Sequence, residues 1–176
     1  MTSHKMVSPN NVRIDWIPVA GLTTPSVPKA TELNAGQRIS GALETGYTLK
    51  FTDSKTDPSK TIEDEGNVEA PTLKNYEGKL TFFQDEVGSG TQDAPEGATI
   101  FTTVVALFKV AYVEGWLVKR VGYAAATAYA AAQKVSVFRF KNDTYRTLEG
   151  EAGDPTRIEV EFLKQGEAYY NVATQA

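Results

Sequence analysis

Residues 71–86, PTLKNYEGKLTFFQDE, put Tyr76, Gly78, Leu80 and Phe82 on one side of an extended chain and Glu77, Lys79 and Thr81 on the other. Successive strand side chains point to opposite faces, so this alternation predicts a half-buried strand. The turn formers of VGSGTQDAPEG follow, and then ATIFTTVVALFKV. There Ile100, Val104, Leu107 and Phe108, with Thr103 beside them, recur at helical spacing. The period thus changes from two to about 3.6. This predicts a β-structure carrying one helix, over about residues 94–108, packed on the sheet through that face. Asp93 as cap, Pro95 in the first turn and Glu96 three residues after the cap mark its start. The β-branched run 102–105 lowers intrinsic helix propensity, so the helix depends on packing.

Working outward, VRIDWIP (12–18) alternates Val12, Ile14 and Trp16 against Arg13 and Asp15, and reads as a strand ended by Pro18. The loop 22–46 is long and proline-bearing, with a short helix expected over 31–35, capped by Thr31 and closed by Gly36. YTLKFT (47–52) is a strand with Tyr47, Leu49 and Phe51 inward; a polar turn follows over 53–60, then a weaker strand over 60–68. Pro71 marks the gap before the central strand.

Residues 112–122 and 134–141 read as strands apolar on both faces. Tyr112, Trp116 and Val118 oppose Val113, Leu117 and Val121; Val135 and Val137 oppose Phe138 and Phe140. Between them, YAAATAYAAAQ (123–133) is expected to be a loop packing small side chains closely against something else, too short to hold as a helix alone. Residues 144–149 extend the pairing, and TRIEVEFLK (156–164) alternates Ile158, Val160 and Phe162 against Arg157, Glu159 and Glu161. The tail GEAYYNVATQA is too apolar to be idle and reads as an arm. Strands apolar on both faces imply a surface covered by another subunit, because a monomer would expose it. The fold class is mainly β: an antiparallel sandwich or barrel with one flanking helix, in a single domain over residues 1–176 with N- and C-terminal arms.

With 176 residues, 41% hydrophobic and 23% charged, the chain can bury a sizeable core. No apolar run reaches the roughly 20 residues that span a bilayer, and MTSHKMVSPNN does not read as a secretory signal. There is no cysteine, hence no disulfide and no thiolate metal site. The net charge of -4 disfavours a basic nucleic-acid surface. Acids gather at Asp53, Asp57, Glu63, Asp64, Glu65 and Glu69, while bases dominate from Lys109 to Arg146. This is either a mixed solvated surface or a subunit whose acidic and basic edges meet in an assembly.

A search for chemistry finds none. His4 is the only histidine and lies in a polar N-terminus, away from any triad. Gly88-x-Gly90 would need its third glycine at Asp93, where an acid repels a pyrophosphate. Ser26-x-x-Lys29 lies in a proline-rich loop without the companion motifs. The acids near Glu63–Glu65 lack a calcium-loop pattern, and the Asn142-Asp143-Thr144 sequon reads as a plain turn. No cofactor or metal is expected. The rival reading is a ligand- or carbohydrate-binding β-sandwich using Trp116 and nearby aromatics, with an enzyme a distant third.

Several segments, in this order and spacing, resemble the major tail proteins that form the tail tube of long-tailed bacteriophages, in the style of actinobacterial phages. They are WIPVAG, PKATELNAGQRIS, TIEDEGNVEAPTLKNYEGKLTFFQDE, ALFK, GWLVKRVG and QKVSVFRF. The alanine-rich stretch 123–133 departs from that pattern. The resemblance implies a structural virion protein without enzymatic activity, assembled in the host cytoplasm into hexameric rings that stack as a tube. The implied partners are other copies, a tape-measure protein, tail-terminator or tail-tip proteins, and double-stranded DNA passing through without specific binding; no membrane is involved. Alternation offers Glu77, Glu159 and Glu161 as lumen-facing acids past which phosphates slide. Trp16, Tyr112, Trp116, Phe138, Phe140, Tyr169 and Tyr170 are the candidate inter-subunit contacts.

Overall fold

The computed structural model describes residues 11–57, 70–84, 100–151 and 154–176, and of 54–57 and 70–74 only the backbone. The strands expected from alternation among the described residues form, and a two-residue strand joins them from within the long loop 22–46. They are β1 (Val12–Pro18), β2 (Gln37–Arg38), β3 (Thr48–Asp57), β4 (Ala70–Phe83), β5 (Glu114–Val121), β6 (Lys134–Asn142), β7 (Arg146–Leu148) and β8 (Arg157–Ala173). The helices are α1 (Ala30–Asn34) and α2 (Ile100–Phe108). All pairings are antiparallel within one sheet of order β2-β1-β5-β6-β8-β4-β3, with β7 added to β8. The architecture is mainly β with a flanking helix.

β8 joins the two halves. Its first residues pair with β4 on one edge and β7 on the other, and the rest pairs with β6. The tail read as an arm is therefore the distal half of β8. The sheet curls strongly. Phe51 of β3 lies 4.9 Å from Phe138 of β6 by ring centroids, although β4 and β8 separate these strands in the sheet. Three strand spacings of about 4.8 Å would hold them about 14 Å apart on a flat sheet. Trp16 of β1 and Phe162 of β8 meet likewise, at 6.0 Å.

Inside the curl lies the main core, which includes Ile14, Trp16, Leu80, Phe82, Leu117, Phe138, Phe140, Ile158 and Val160. Tyr76, Gly78, Leu80 and Phe82 all point into it, as the alternation predicts, while Glu77 and Lys79 are exposed. Gly78 has a steric reason: a Cβ there would stand 2.8 Å from the Phe140 ring and 3.1 Å from Phe162 Cβ. α2 adds Val104, Val105 and Phe108 to the core. Phe108 stacks on Phe82 at 5.4 Å and sits edge-on to Trp16 at 5.4 Å. The buried face includes Val105 where the sequence suggested Thr103. The expected first turns, with Asp93, Pro95 and Glu96, lie outside the described residues, as do the weak strand 60–68 and the N-terminal arm.

The second apolar face of the strands is where the sequence reading must be corrected. Ile17, Trp116, Val118, Val135 and Val137 form a second core. It is covered by this chain's own Leu22, Ala30, Leu33 and Tyr129, from the 22–34 segment and the alanine-rich loop. No second copy is needed to bury it.

Smaller corrections follow from backbone pairing. α1 starts at Ala30, so Thr31 lies inside it; no side chain caps it, and Ala30 N donates to Gln175 O at 2.8 Å. β3 continues past Thr52 to Asp57 with irregular register. Pro71 lies within β4, opposite Thr56 and before β4 meets β8, so its missing N–H breaks no ladder on that side. β5 begins at Glu114 and leaves Tyr112 and Val113 outside the strand.

Candidate assembly surface

At one end of β5 and β6 the turn between α2 and β5 is held by Asn142. This side chain is fully buried and Asn142 is the last residue of β6, at the position where the sequence suggested a plain turn. Its Nδ2 donates to Val110 O at 2.9 Å and to Asp143 O at 3.3 Å, and its Oδ1 accepts from Val113 N at 2.9 Å. Its carbonyl accepts from Tyr112 N at 2.8 Å and its N–H donates to Val113 O at 3.2 Å. The turn so fixed keeps Tyr112 in the left-handed region at φ 66°. That conformation costs a tyrosine about 1–3 kcal/mol. Val110, Tyr112 and Val113 are left exposed there, and Tyr112 is 58% accessible.

At the opposite end, a buried polar cluster fixes the 122–133 loop. Arg13 grips Asp15 through Nε at 2.8 Å and Nη2 at 3.0 Å, and Tyr129 Oη donates to Asp15 Oδ2 at 2.6 Å. Arg120, fully buried, donates to the carbonyls of Ala124, Thr127 and Ala128 and to Gln133 Oε1, at 2.7–3.1 Å. Both guanidinium groups also lie over the Tyr129 ring, at 4.6 and 4.7 Å. Burial first, and then Asp15, push the Tyr129 hydroxyl well above the usual tyrosine range. Burial pulls Arg120 down; for Arg13 the same pull is outweighed by Asp15, and its pKa rises. The loop is irregular, as expected, but its alanines are mostly exposed. It supplies carbonyls and one aromatic ring instead of small packing side chains.

The outward face of β3, β4, β8 and β7 carries the three acids singled out by alternation. Each has a cation: Glu77 with Lys50 at 3.2 Å, Glu159 with Lys79 at 3.0 Å, and Glu161 with Lys79 and Arg146, both at 3.8 Å. The face is a charge-compensated ladder, not an acidic strip.

The candidate contact aromatics divide by burial. Trp16, Trp116, Phe138 and Phe140 are at most 3% accessible and are buried in the chain's own two cores, not at its surface. Trp116 for the same reason presents no face to a sugar. Tyr169 packs half-buried against the second core. Tyr112 and Tyr170 remain at the surface, Tyr170 at 74%.

A sequence-family model described as phage tail tube protein matches residues 1–176. The chain belongs to the phage tail tube protein family. No curated protein matches it. As a tail tube protein it is a structural component of the phage tail that assembles into an oligomeric tube. Its function therefore lies in surfaces. Among the described residues, no group of three or more His, Asp or Glu is placed to hold a metal ion. No helix among them is long and apolar enough to cross a membrane.

Proposed function

We propose that this tail tube protein polymerises as hexameric rings stacked head to tail, forming the conduit that delivers DNA to the host. The observation that carries this reading is where the exposed large apolar side chains lie. Val110, Tyr112, Val113 and Leu163 collect at one end of the β5–β6–β8 strands, and Val121, Tyr123 and Tyr170 at the other. Two unlike apolar ends on one set of strands suit a heterologous contact, which propagates along an axis, better than a self-complementary one. Laterally, β3 ends the sheet and has a strand neighbour on one side only among the described residues. Its open backbone groups can pair with the next subunit and close a ring. The paired acids of the outward face let phosphates pass without the counterion release that would hold them. The tape-measure protein fills the tube during assembly in the host cytoplasm, and terminator and tip proteins close its ends. Electron microscopy and mass measurement of the purified protein test this. Rings and tubes at high concentration are expected; monomers at every salt and concentration would overturn it.

A further inference from the structure

At the Tyr170 end, β3, β5, β6 and β8 enclose a groove of about 440 Å³. Its floor is apolar, with Phe51, Val135 and Phe138, and its charged lining is Lys50, Lys119 and Lys134, without an acid. Lys134 pairs with no carboxylate among the described residues. Lys119 is half-buried, with Nζ 3.3 Å from Leu49 O and 5.2 Å above the Tyr47 ring. Burial pulls its pKa down, and the groove lining places no carboxylate beside it. Lys50 holds Glu77 only through exposed side chains.

The rim carries a second mark of construction. In the β6–β8 pairing, Val135 faces Val172 and Val137 faces Tyr169, so Tyr170 and Asn171 together oppose Ser136 alone. This is a bulge, with Asn171 left-handed at φ 53°. Bulges re-aim side chains beside functional sites. Here the bulge holds Tyr170 at the groove mouth, its ring edge-on to Phe51 at 5.6 Å.

We propose that this groove is the docking site for the acidic stretch 57–69 of a second copy of the chain. The proposal rests on the tube reading above and supplies one of its contacts. Charge complementarity selects the occupant: DPSKTIEDEGNVE carries Asp57, Glu63, Asp64, Glu65 and Glu69 against Lys60. Its Ile62 and Val68 match the apolar floor. Phe51 lines the groove and β3 runs on to Asp57, so the stretch starts about 20 Å beyond its own Phe51 at strand rise and would have to fold back along β3 to reach its own groove, whereas a second copy can present it directly. An apolar floor with three separate lysines suits a peptide better than duplex phosphates, which are recognised by a continuous basic stripe.

The chain has no cysteine, so single introduced thiols report one contact. Lys134→Cys and Asp64→Cys variants, one carrying a mass tag, are mixed at assembling concentration and oxidised. A tagged–untagged disulfide heterodimer is expected. Lys50→Glu/Lys134→Glu, both exposed positions, keeps the circular dichroism spectrum and raises the concentration needed for tubes by at least about tenfold, equal to 1.4 kcal/mol. Adding Glu63→Lys/Glu65→Lys restores assembly. Tubes that form without the heterodimer and ignore the charge reversal would overturn this contact and leave the tube reading standing. A heterodimer without tubes would do the opposite. A disulfide confined to one chain of a Lys134→Cys/Asp64→Cys double variant would also overturn it. So would lysine-dependent retention of duplex DNA with assembly unaffected.

Discussion

Tyr129 Oη lies 2.6 Å from Asp15 Oδ2, tying the alanine-rich loop to the first strand across 114 positions of sequence. Asp15 is fully buried and also carries Arg13, while Arg120 stacks on the same tyrosine ring and holds the loop's carbonyls. One carboxylate thus serves a cluster with two guanidinium groups, and the loop that caps the second core depends on it.

Asp15→Ala leaves Arg13 buried without its carboxylate and should destabilise the protein by about 3–5 kcal/mol, the usual cost of breaking a buried ion pair from one side. Tyr129→Phe keeps the ring and loses one charge-assisted bond, and should cost about 1–3 kcal/mol. Urea unfolding monitored by tryptophan fluorescence measures both. Equal effects from the two variants would show that the pair does not act as described.

The same cluster sets an alkaline limit. Burial and Asp15 raise the folded-state pKa of Tyr129, so above the unfolded tyrosine value of about 10 the native state holds a proton that the unfolded state releases. Stability from this group is complete below that pH and is lost as pH rises through it. Tyr47 and Tyr76, also raised by burial, act in the same direction. Lys119, lowered by burial, acts oppositely. The difference between wild type and Tyr129→Phe isolates the one residue: the stability gap between them should shrink above about pH 10. A gap constant from pH 7 to 11 contradicts this account.

The flanking helix offers a packing test. Phe108 touches Trp16, Phe82 and Phe162, each at 5.4 Å by ring centroid, and is 1% accessible. Phe108→Ala should cost about 3–5 kcal/mol. Ala106→Gly, on the exposed side of the same helix, should cost only about 1 kcal/mol. Thermal unfolding of the pair measures how much of the helix's stability comes from the sheet.

Much of this architecture was legible because period-two patterning survives wherever one strand face is buried. Tyr76 to Phe82 and Ile158 to Phe162 fall inward as their alternation says. What misled was the apolar second face of β5 and β6. Trp116, Val118, Val135 and Val137 look like surface awaiting a neighbour until Leu22, Leu33 and Tyr129 are placed over them. Those covering residues lie in aperiodic segments, and loops closing over a sheet leave no period to read. The arginine cluster was hidden for a similar reason. Its acceptors are backbone carbonyls of the loop, which any sequence possesses. Two clues were present: the charged Arg13 and Asp15 in an otherwise apolar strand, and Arg120 in another. The paired acids were half visible, since alternation put Glu77, Glu159 and Glu161 on one face but strand order was needed to set Lys50 and Lys79 beside them.

Folding and assembly can be separated at the Asn142 turn. Asn142→Ala removes the partners of Val113 N and Val110 O, two part-buried hydrogen bonds worth about 0.5–1.5 kcal/mol each. That variant should lose stability and, through the altered turn, assembly as well. Tyr112→Gly acts differently. Tyr112 is exposed and left-handed, so glycine relieves the backbone strain while gaining chain entropy in the unfolded state. The two effects oppose one another, and the net change in monomer stability should lie between about zero and a gain of about 2 kcal/mol. On the proposed assembly, tube formation should nevertheless fall sharply, because the exposed ring placed at the contact with the next subunit is gone. Asn142→Ala thus lowers both readouts, whereas Tyr112→Gly lowers only the second. Denaturant melts beside sedimentation of assembled material distinguish the two. Normal tubes from Tyr112→Gly would mean that the strained tyrosine serves the fold of the turn and no neighbour.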